Sequence, residues 1–271
     1  ALSFVDDPTR ALRAVRFEQR YAFRIGSQCD RLIRNALELG LMERLSGARV
    51  RSEWELMLEE AAPFDCFSRM QEFGILAAVH AELDMPLWKA ELLRATLDVF
   101  NWYRRLYQEE LPDPLILCLL ALCRNSSSKM LDEVMSRLDL PEKRCSKLKA
   151  ARAAIMDVLP RVLTWHKEER GPGDLHRILR KVPLEGLLYL VARVEDEALR
   201  KKLTHYVYRE RLITIDIGGD DLRRMGLSPG PVYARILDAV LMARQNGKVT
   251  GREEQLRYAG ELAALDAEAN K

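Results

Sequence analysis

Apolar residues recur every three to four positions along almost the whole of this 271-residue chain, and this spacing limits its possible folds most strongly. The runs AELLRATLDVFNWYRRLYQEEL at 90–111 and SSKMLDEVMSRLDL at 127–140 both show it. A period near 3.6 residues is typical of helices that bury one face. Alternating β-branched runs are nearly absent, and only LITIDIG at 212–218 resembles a strand. The sequence therefore predicts an all-α fold, an elongated array of packed helices.

Glycine, proline and short polar clusters mark where these helices should end. We expect breaks at Gly40, SGAR 46–49, DMP 84–86, LPDP 111–114, RNSSS 124–128, GPG 171–173 and GLSPGP 226–231. Neither a repeat of fixed period nor a low-complexity linker is evident in the sequence.

Composition indicates a reducing, cytoplasmic environment. The five cysteines are odd in number and widely spaced: Cys29, Cys66, Cys118, Cys123 and Cys145. We expect them to be reduced, with Cys118 and Cys123 in the core, because no disulfide framework suits this pattern. No apolar run reaches the roughly 18 residues of a membrane span, so no membrane partner is expected. The chain begins at Ala1, almost on a motif, and we therefore expect a piece of a longer polypeptide.

Charge is distributed unevenly although the whole chain carries only +2. Residues 1–51 sum to +4, 52–142 to −9, 143–211 to +8 and 212–271 to −1. Two basic blocks that flank an acidic one are consistent with a polyanionic partner, and equally with ordinary solvated helix faces.

The opening stretch DDPTRALRAVRFEQR, residues 6–20, joins a helix-start signal to a row of arginines. An acid accepts hydrogen bonds from the first free N–H groups, and proline suits the first helical position. The arginines Arg10, Arg13, Arg16 and Arg20 fall within a third of the helix circumference. Like charges at this spacing repel each other. We therefore expect an anionic group to compensate them.

These residues also carry a family resemblance. DDPTRALRAVRFEQRYAFRI resembles the neck motif of class II tRNA nucleotidyltransferases and bacterial poly(A) polymerases, Glu/Asp-Asp-Pro-x-Arg-x-x-Arg-x-x-Arg-Phe-x-x-Arg-x-x-Phe. The segment LMERLSGARVRSEWELML resembles the next family motif, with Arg49 and Glu53 in place but Ala48 where glutamate is usual. The segment beginning GGDDLRRMGLSPGP at residue 218 is similar to the family's tail. The resemblance implies a neck at 1–85, a body at 86–200 and a tail at 201–271, with the neck and tail binding RNA.

The resemblance further implies that Asp7 and Arg10 read the Watson–Crick edge of incoming CTP or ATP. Cytosine and adenine both present an amine donor beside a ring-nitrogen acceptor, which a carboxylate and a guanidinium complement. Guanine and uracil would set like against like, at a cost of about 1–3 kcal/mol. Arg13 and Arg16 would face the phosphates or brace the pocket. The supporting residues would be Asp6, Arg20, Arg49 and Glu53. Asp6 could also supply the helix cap, which would leave the Asp7 carboxylate to the base.

Nucleotide transfer in this family requires metal-binding carboxylates, which we do not find in this sequence. Family members transfer nucleotides by two-metal catalysis, with the metal-binding carboxylates in an N-terminal head domain. We find no such constellation, and the acid pair Asp220–Asp221 is more typical of a helix cap. The histidines, His80, His166, His176 and His205, have no metal-ligand spacing. We expect this chain alone to be inactive and to bind no cofactor, whereas the intact enzyme would use Mg²⁺ through the head.

RNA contacts are predicted in two further places. Lys143, Arg144, Lys147, Lys149 and Arg152 crowd into three helical turns, where they could bind phosphates or form a solvated face. Gly230, before Pro231, could open a helix N-terminus toward a phosphate, or simply form a turn. We expect the four tryptophans, Trp54, Trp88, Trp102 and Trp165, to belong to the core rather than to stack on bases.

The sequence thus predicts the nucleotide-selecting and RNA-binding part of a nucleotidyltransferase. The expected partners are RNA, in particular the tRNA 3′ end and elbow, ATP or CTP, and the catalytic head of the same polypeptide. CCA addition, A addition and polyadenylation remain open, since the Asp–Arg pair serves C and A alike. A non-catalytic helical RNA-binding module is the alternative of a different class.

Overall fold

A computed structural model describes the backbone of residues 3–269 and the side chains of residues 4–266. This part of the chain forms α-helices and one short 3₁₀ helix. The helices are α1 Ser3–Asp6, α2 Thr9–Arg20, α3 Ser27–Glu38, α4 Gly47–Leu58, α5 Pro63–Phe73, α6 Ile75–Val79, α7 Leu87–Arg104, α8 Pro114–Leu122, α9 Ser128–Arg137, α10 Glu142–Lys167, α11 Pro172–Leu179, α12 Leu184–Arg193, α13 Glu197–Tyr208, α14 Gly219–Arg224, α15 Pro231–Gln245 and α16 Arg252–Ala269. The predicted all-α class is confirmed.

The strand-like run at 212–218 is not a strand, and between residues 3 and 269 no strand forms at all. Leu212 ends the 3₁₀ helix Glu210–Leu212, and the residues that follow are irregular. The backbone N–H of Asp216 bonds to the side-chain oxygen of Gln255 at 2.8 Å, so a helix side chain satisfies it where a neighbouring strand would. Ile217 packs among helices in a buried cluster, which accounts for the apolar alternation.

The predicted breaks coincide with helix ends because local caps and prolines set them. Asp113 precedes Pro114 and accepts the backbone N–H of Leu115 at 3.0 Å, so α8 begins at the predicted LPDP break. At RNSSS, the Ser127 hydroxyl oxygen accepts the N–H of Met130 at 3.0 Å. α11 begins at Pro172 within GPG, and α15 at Pro231 after GLSPG.

The chain divides into two compact units. The first comprises Ala1–Ala154 with Pro183–Val194, and the second comprises Ile155–Val182 with Glu195–Lys271, as far as each is described. Helix α10 contributes residues 142–154 to the first unit and residues 155–167 to the second. The three-part division at residues 85 and 200 stays a prediction.

The first unit has two groups of packed helices. Helices α7, α8 and α12 pack on one another. Their centre is α8, which is apolar on every side and buried from Leu115 to Leu122. Cys118 and Cys123 are buried there as free thiols, as predicted. Helices α2, α4 and α5 form the other group, in which the Trp54 ring meets the Phe67 ring edge-on at 5.2 Å between centroids. This second group carries the opening motif.

The second unit packs α15 against α11 and α16. Its buried cluster consists of apolar side chains from four segments: Ile217, Leu222, Ile236, Val240 and Ala259. At Gly173 a Cβ atom would lie 3.0 Å from the Met242 carbonyl oxygen, so α11 approaches α15 closely at this glycine. Among the described helices, none combines the length and apolar character that crossing a bilayer requires.

Candidate nucleotide-binding site and RNA interface

The Asp7 carboxylate lies between α1 and α2 and holds the start of α2. Its Oδ1 atom accepts hydrogen bonds from the Thr9 backbone N–H at 3.2 Å, from the Thr9 hydroxyl, and from Arg49 Nη2 at 2.7 Å. The Thr9 hydroxyl bond, followed by the Arg49 charge, holds the pKa of Asp7 below its ordinary 3.8 against the effect of burial. Asp7, rather than Asp6, therefore caps this turn, and Asp6 lies exposed at the end of α1. Helix α2 begins at Thr9, so Pro8 is its N-cap rather than its first residue.

Arg10 lies on the same turn as Asp7, because its backbone N–H donates to the Asp7 carbonyl oxygen at 3.1 Å. Its side chain is exposed, as is that of Arg13 one turn further along α2. Asp7 retains 26% of its side-chain exposure. The motif thus brings an acid and two arginines to one solvent-accessible end of α2.

Arg16 has a different environment from the other arginines of the row. Its side chain is only 9% exposed and lies 3.4 Å from Glu53 and 3.3 Å from Glu60, measured between nitrogen and oxygen atoms. Arg20 is half-exposed and lies 3.7 Å from the same Glu60 carboxylate. The anionic group that the arginine row requires therefore includes two glutamates of this chain. The buried position of Arg16 favours the bracing role among the two that the sequence left open.

Two ion pairs join the segment of α2 to α4, and the acid comes from the α2 side in one pair and from α4 in the other. Asp7, before α2, pairs with Arg49 of α4, whereas Arg16 of α2 pairs with Glu53 of α4. Arg49 and Glu53 are four residues apart and share one face of α4. Because of this spacing, Arg49 contacts Asp7 and Glu53 contacts Arg16, so that α4 pairs with the opening motif at two places.

Sequence reasoning missed a second network at the end of α2. Glu18 is buried and accepts the Ile25 backbone N–H at 2.8 Å and the Arg69 Nε at 2.8 Å. Glu18 and Arg69 border a cleft of about 430 Å³ that Phe23 and Arg24 also line. A buried glutamate needs such donors. The sequence gave no cue to Arg69, which lies 51 positions away.

Two aromatic side chains stand exposed beside this cleft. Tyr21 and Phe23 are 63% and 48% exposed, and their rings are stacked, with centroids 6.5 Å apart and planes 9° from parallel. The Arg20 guanidinium lies 5.8 Å from the Tyr21 ring centroid.

Most of the predicted basic RNA-binding segment on α10 is engaged within the chain. Arg144 pairs with Glu55 and, at 2.8 Å, with Asp113. Lys147 lies 2.7 Å from the fully buried Glu185. Lys149 pairs with Asp132 at 2.8 Å, Arg152 donates to Ser126 Oγ at 3.0 Å, and Lys143 is exposed. Four of these five cations thus contact other residues of the chain, an arrangement that the sequence analysis did not consider beside phosphate binding and a solvated face.

Two further candidates, Gly230 and Asp221, lie at the starts of helices. Gly230 is exposed in an extended conformation before α15. Asp221 caps α14 by accepting the Gly218 N–H at 3.0 Å, as the helix-cap interpretation predicts. Within the described side chains, no group of histidines, cysteines and acids could hold a metal ion. Trp54 and Trp165 are buried as predicted, but the prediction is wrong for Trp88, which is 41% exposed.

Comparisons with known proteins support the same family. Residues 22–85 match the family described as "Probable RNA and SrmB-binding site of polymerase A". An A-adding tRNA nucleotidyltransferase of Geobacter sulfurreducens is 34% identical over 265 residues, which cover 97% of this chain and 30% of that protein. The Thermotoga maritima CCA-adding enzyme, solved in complex with tRNA-CCA, has 27% identity and a TM-score of 0.81 over 97% of this chain and 62% of its own.

A CCA-adding enzyme solved with CTP is similar to the same extent, with 27% identity and a TM-score of 0.78 over 97% of this chain and 61% of its own. The chain thus spans less than a third of the Geobacter relative and about three fifths of the solved enzymes. The resemblance that the opening motif carries is confirmed: the chain is similar to tRNA nucleotidyltransferases over nearly its whole length.

Proposed function

We propose that this chain is the nucleotide-selecting and RNA-binding part of a template-independent nucleotidyltransferase that adds CMP or AMP from CTP or ATP to the 3′ end of tRNA. The observation that carries the proposal is the Asp7–Arg10 turn, which lies at the accessible end of α2 and in which Arg49 donates a hydrogen bond to the Asp7 carboxylate. The similarity over 97% of the chain to an A-adding enzyme and to a CCA-adding enzyme bound to tRNA supports it.

Nucleotide selection follows from the two oxygens of Asp7. Thr9 and Arg49 both bond to Oδ1, so Oδ2 can accept the exocyclic amine of cytosine or adenine while Oδ1 caps the turn. The Arg10 guanidinium then donates to the ring nitrogen of the same base edge. A single carboxylate therefore serves both the cap and the base, and Asp6 need not take over the capping role.

Ion pairs with neighbouring residues should make the Asp7–Arg10 pair rigid. A base-reading pair must hold its geometry before the nucleotide arrives. Arg49 fixes the Asp7 carboxylate, while Arg16 fixes α2 against Glu53 and Glu60. Arg13, exposed one turn from Arg10, would contact the triphosphate. Asp6 would support this end of the helix, and Arg20, the last residue of α2, would support the other end beside Glu60.

Phosphoryl transfer needs groups outside this part of the chain. The described residues contain no acidic cluster that fits a metal ion. We infer that Mg²⁺ and its carboxylates belong to a catalytic head domain of the parent polypeptide, and that this chain alone transfers no nucleotide.

The test is incorporation by the parent enzyme on two tRNAs, one that lacks its 3′-CCA and one that ends in CC, with each of the four nucleoside triphosphates in turn. We expect C or A to be added and G and U to be rejected. Addition of A only to tRNA that already ends in CC identifies an A-adding enzyme, and long A tails on unrelated RNA would identify the poly(A) polymerase alternative. No transfer of any nucleotide would contradict the proposal and leave the non-catalytic RNA-binding module.

A further inference from the structure

Three arginines meet in the first unit at a place that the proposed nucleotide site does not include. Arg124 follows α8, Arg152 lies on α10 and Arg193 ends α12. We call these three residues the arginine cluster. Helix α12 packs against α7 and α8, and Arg152 donates to the Ser126 hydroxyl in the turn after α8 at 3.0 Å. The fold therefore brings together cations that are separated by up to 69 positions in the sequence.

The buried phenol of Tyr189 marks the centre of the arginine cluster. Tyr189 is 2% exposed and lies one turn before Arg193 on α12. Burial raises the pKa of its hydroxyl, and the positive charges of Arg193, Arg124 and Arg152 oppose that rise. The positive charges of all three guanidinium groups thus reach the Tyr189 hydroxyl.

Unlike Arg144, Lys147 and Lys149 of α10, the arginine cluster has no acidic partner among the described side chains. Within the described part of the chain, Arg152 donates to the hydroxyl and carbonyl oxygens of Ser126. Burial and the neighbouring charge of Arg124 lower the pKa of Arg193, as expected where like charges meet without compensation. Lys89, the other cation nearby, already pairs with Asp84 at 2.7 Å.

Two buried polar atoms at this place also lack a partner within the described part of the chain. They are the Nε atom of Arg124 and the hydroxyl oxygen of Tyr189. Buried donors of this kind are costly unless something accepts from them. An external anion would meet the three arginines themselves, which are each half-buried, and would offset their mutual repulsion.

The surroundings indicate which anion this is. The Arg124 guanidinium lies 5.6 Å from the centroid of the Trp88 ring, which is 41% exposed. Guanidinium groups beside an accessible aromatic ring suit a nucleic acid, whose phosphate takes the charge while a base can stack on the ring.

We propose that the arginine cluster binds a backbone phosphate of the RNA substrate, with the Trp88 ring beside it for an adjacent base. This proposal rests on the proposed function, since it assigns the RNA-binding role to Arg124 and Arg193, which lie outside the basic segment of α10, together with Arg152 from that segment.

The experiment measures binding of the complete chain to labelled tRNA lacking its 3′-CCA by fluorescence anisotropy over a range of salt. Arg193→Gln and Arg124→Gln should each weaken binding about tenfold and reduce the slope of log K against log salt by about 0.7–0.9, the loss of one phosphate contact. Arg193→Lys keeps the charge and should keep the slope. Arg105→Gln removes an exposed arginine at the end of α7 and should leave both values as in the unchanged chain.

Thermal unfolding separates binding from folding. Because Arg193→Gln removes a like charge, its Tm should not fall, whereas a purely structural Arg193 would lower Tm and leave the salt slope unchanged. Equal slopes for Arg193→Gln and Arg105→Gln would overturn the inference alone. Failure of the unchanged chain to bind tRNA would overturn the RNA-binding part of the proposed function as well. If inorganic phosphate raises the Tm of the unchanged chain more than that of Arg193→Gln while RNA binding stays equal, the cluster holds a free anion and the RNA assignment is wrong.

Discussion

At the scale of single residues, Arg16 and Arg10 show how one motif can divide its charges between structure and chemistry. Arg16 is buried between two glutamates, whereas Arg10 remains exposed two turns earlier on the same helix. A buried charge is tolerated only beside an opposite charge, and removal of one partner leaves the other uncompensated. Substitution of Arg16 should therefore reduce stability, whereas substitution of Arg10 should reduce activity.

Arg16→Met should lower the free energy of unfolding by about 3 kcal/mol, because the largely buried Glu53 would lose its cation and Glu60 would keep only the half-exposed Arg20. Arg20→Met, which removes a half-exposed arginine near the same Glu60, should cost no more than about 1 kcal/mol. Urea denaturation of both variants measures the difference. Equal effects would contradict the assignment of Arg16 as the internal brace.

The Asp7 carboxyl should titrate below pH 3.8 in an NMR titration, since the Thr9 hydroxyl and then Arg49 stabilise its charged form. A lowered pKa means that Asp7 stabilises the fold fully above about pH 3.8, and that this contribution is lost as the pH falls through the lowered value. Thr9→Ala should raise the pKa more than Arg49→Gln, because the Thr9 bond is the larger cause. No rise in Thr9→Ala would show that the cap does not engage this carboxylate.

At the scale of helices, local signals and tertiary pairing differ in how far the sequence predicts them. Each break at LPDP, RNSSS and GPG depends on residues next to it, and the helices begin there as expected. The basic segment of α10 is different, since its partners Glu55, Asp113, Asp132 and Glu185 come from distant positions. Periodicity cannot identify which acid faces which cation, so the sequence left the role of the segment open.

Lys147→Met tests the folding role of α10. Glu185 is fully buried, and removal of its ammonium partner should destabilise the chain by about 3 kcal/mol. Glu185→Gln in the same background should restore most of this loss, because it removes the unpaired charge while its side-chain oxygen can still accept the Asp113 N–H. Lys143→Met, on the exposed side of α10, should change stability by no more than about 0.5 kcal/mol. Thermal unfolding of the three variants decides between an internal ion pair and a solvated face.

At the scale of the whole molecule, the sequence predicted the fold class, the family and the opening motif, because each rests on residues close together in the chain. It could not predict the buried pairing of Arg16 with Glu60, the exposure of Trp88 or the arginine cluster, because each depends on packing between distant segments. The run at 212–218 resembles a strand in sequence for a related reason: its alternating isoleucines pack against helices of the second unit.

The central claim is that Asp7 and Arg10 select the nucleotide, and the most direct test is the incorporation of all four nucleotides by the parent enzyme carrying Arg10→Ala. We expect the preference for C and A over G and U to be lost, together with most incorporation, because the guanidinium is the donor to the base edge. Arg13→Ala is the matched control on the same helix and should slow all nucleotides alike while the preference is retained. Unchanged C and A transfer in Arg10→Ala, with G and U still rejected, would contradict the account.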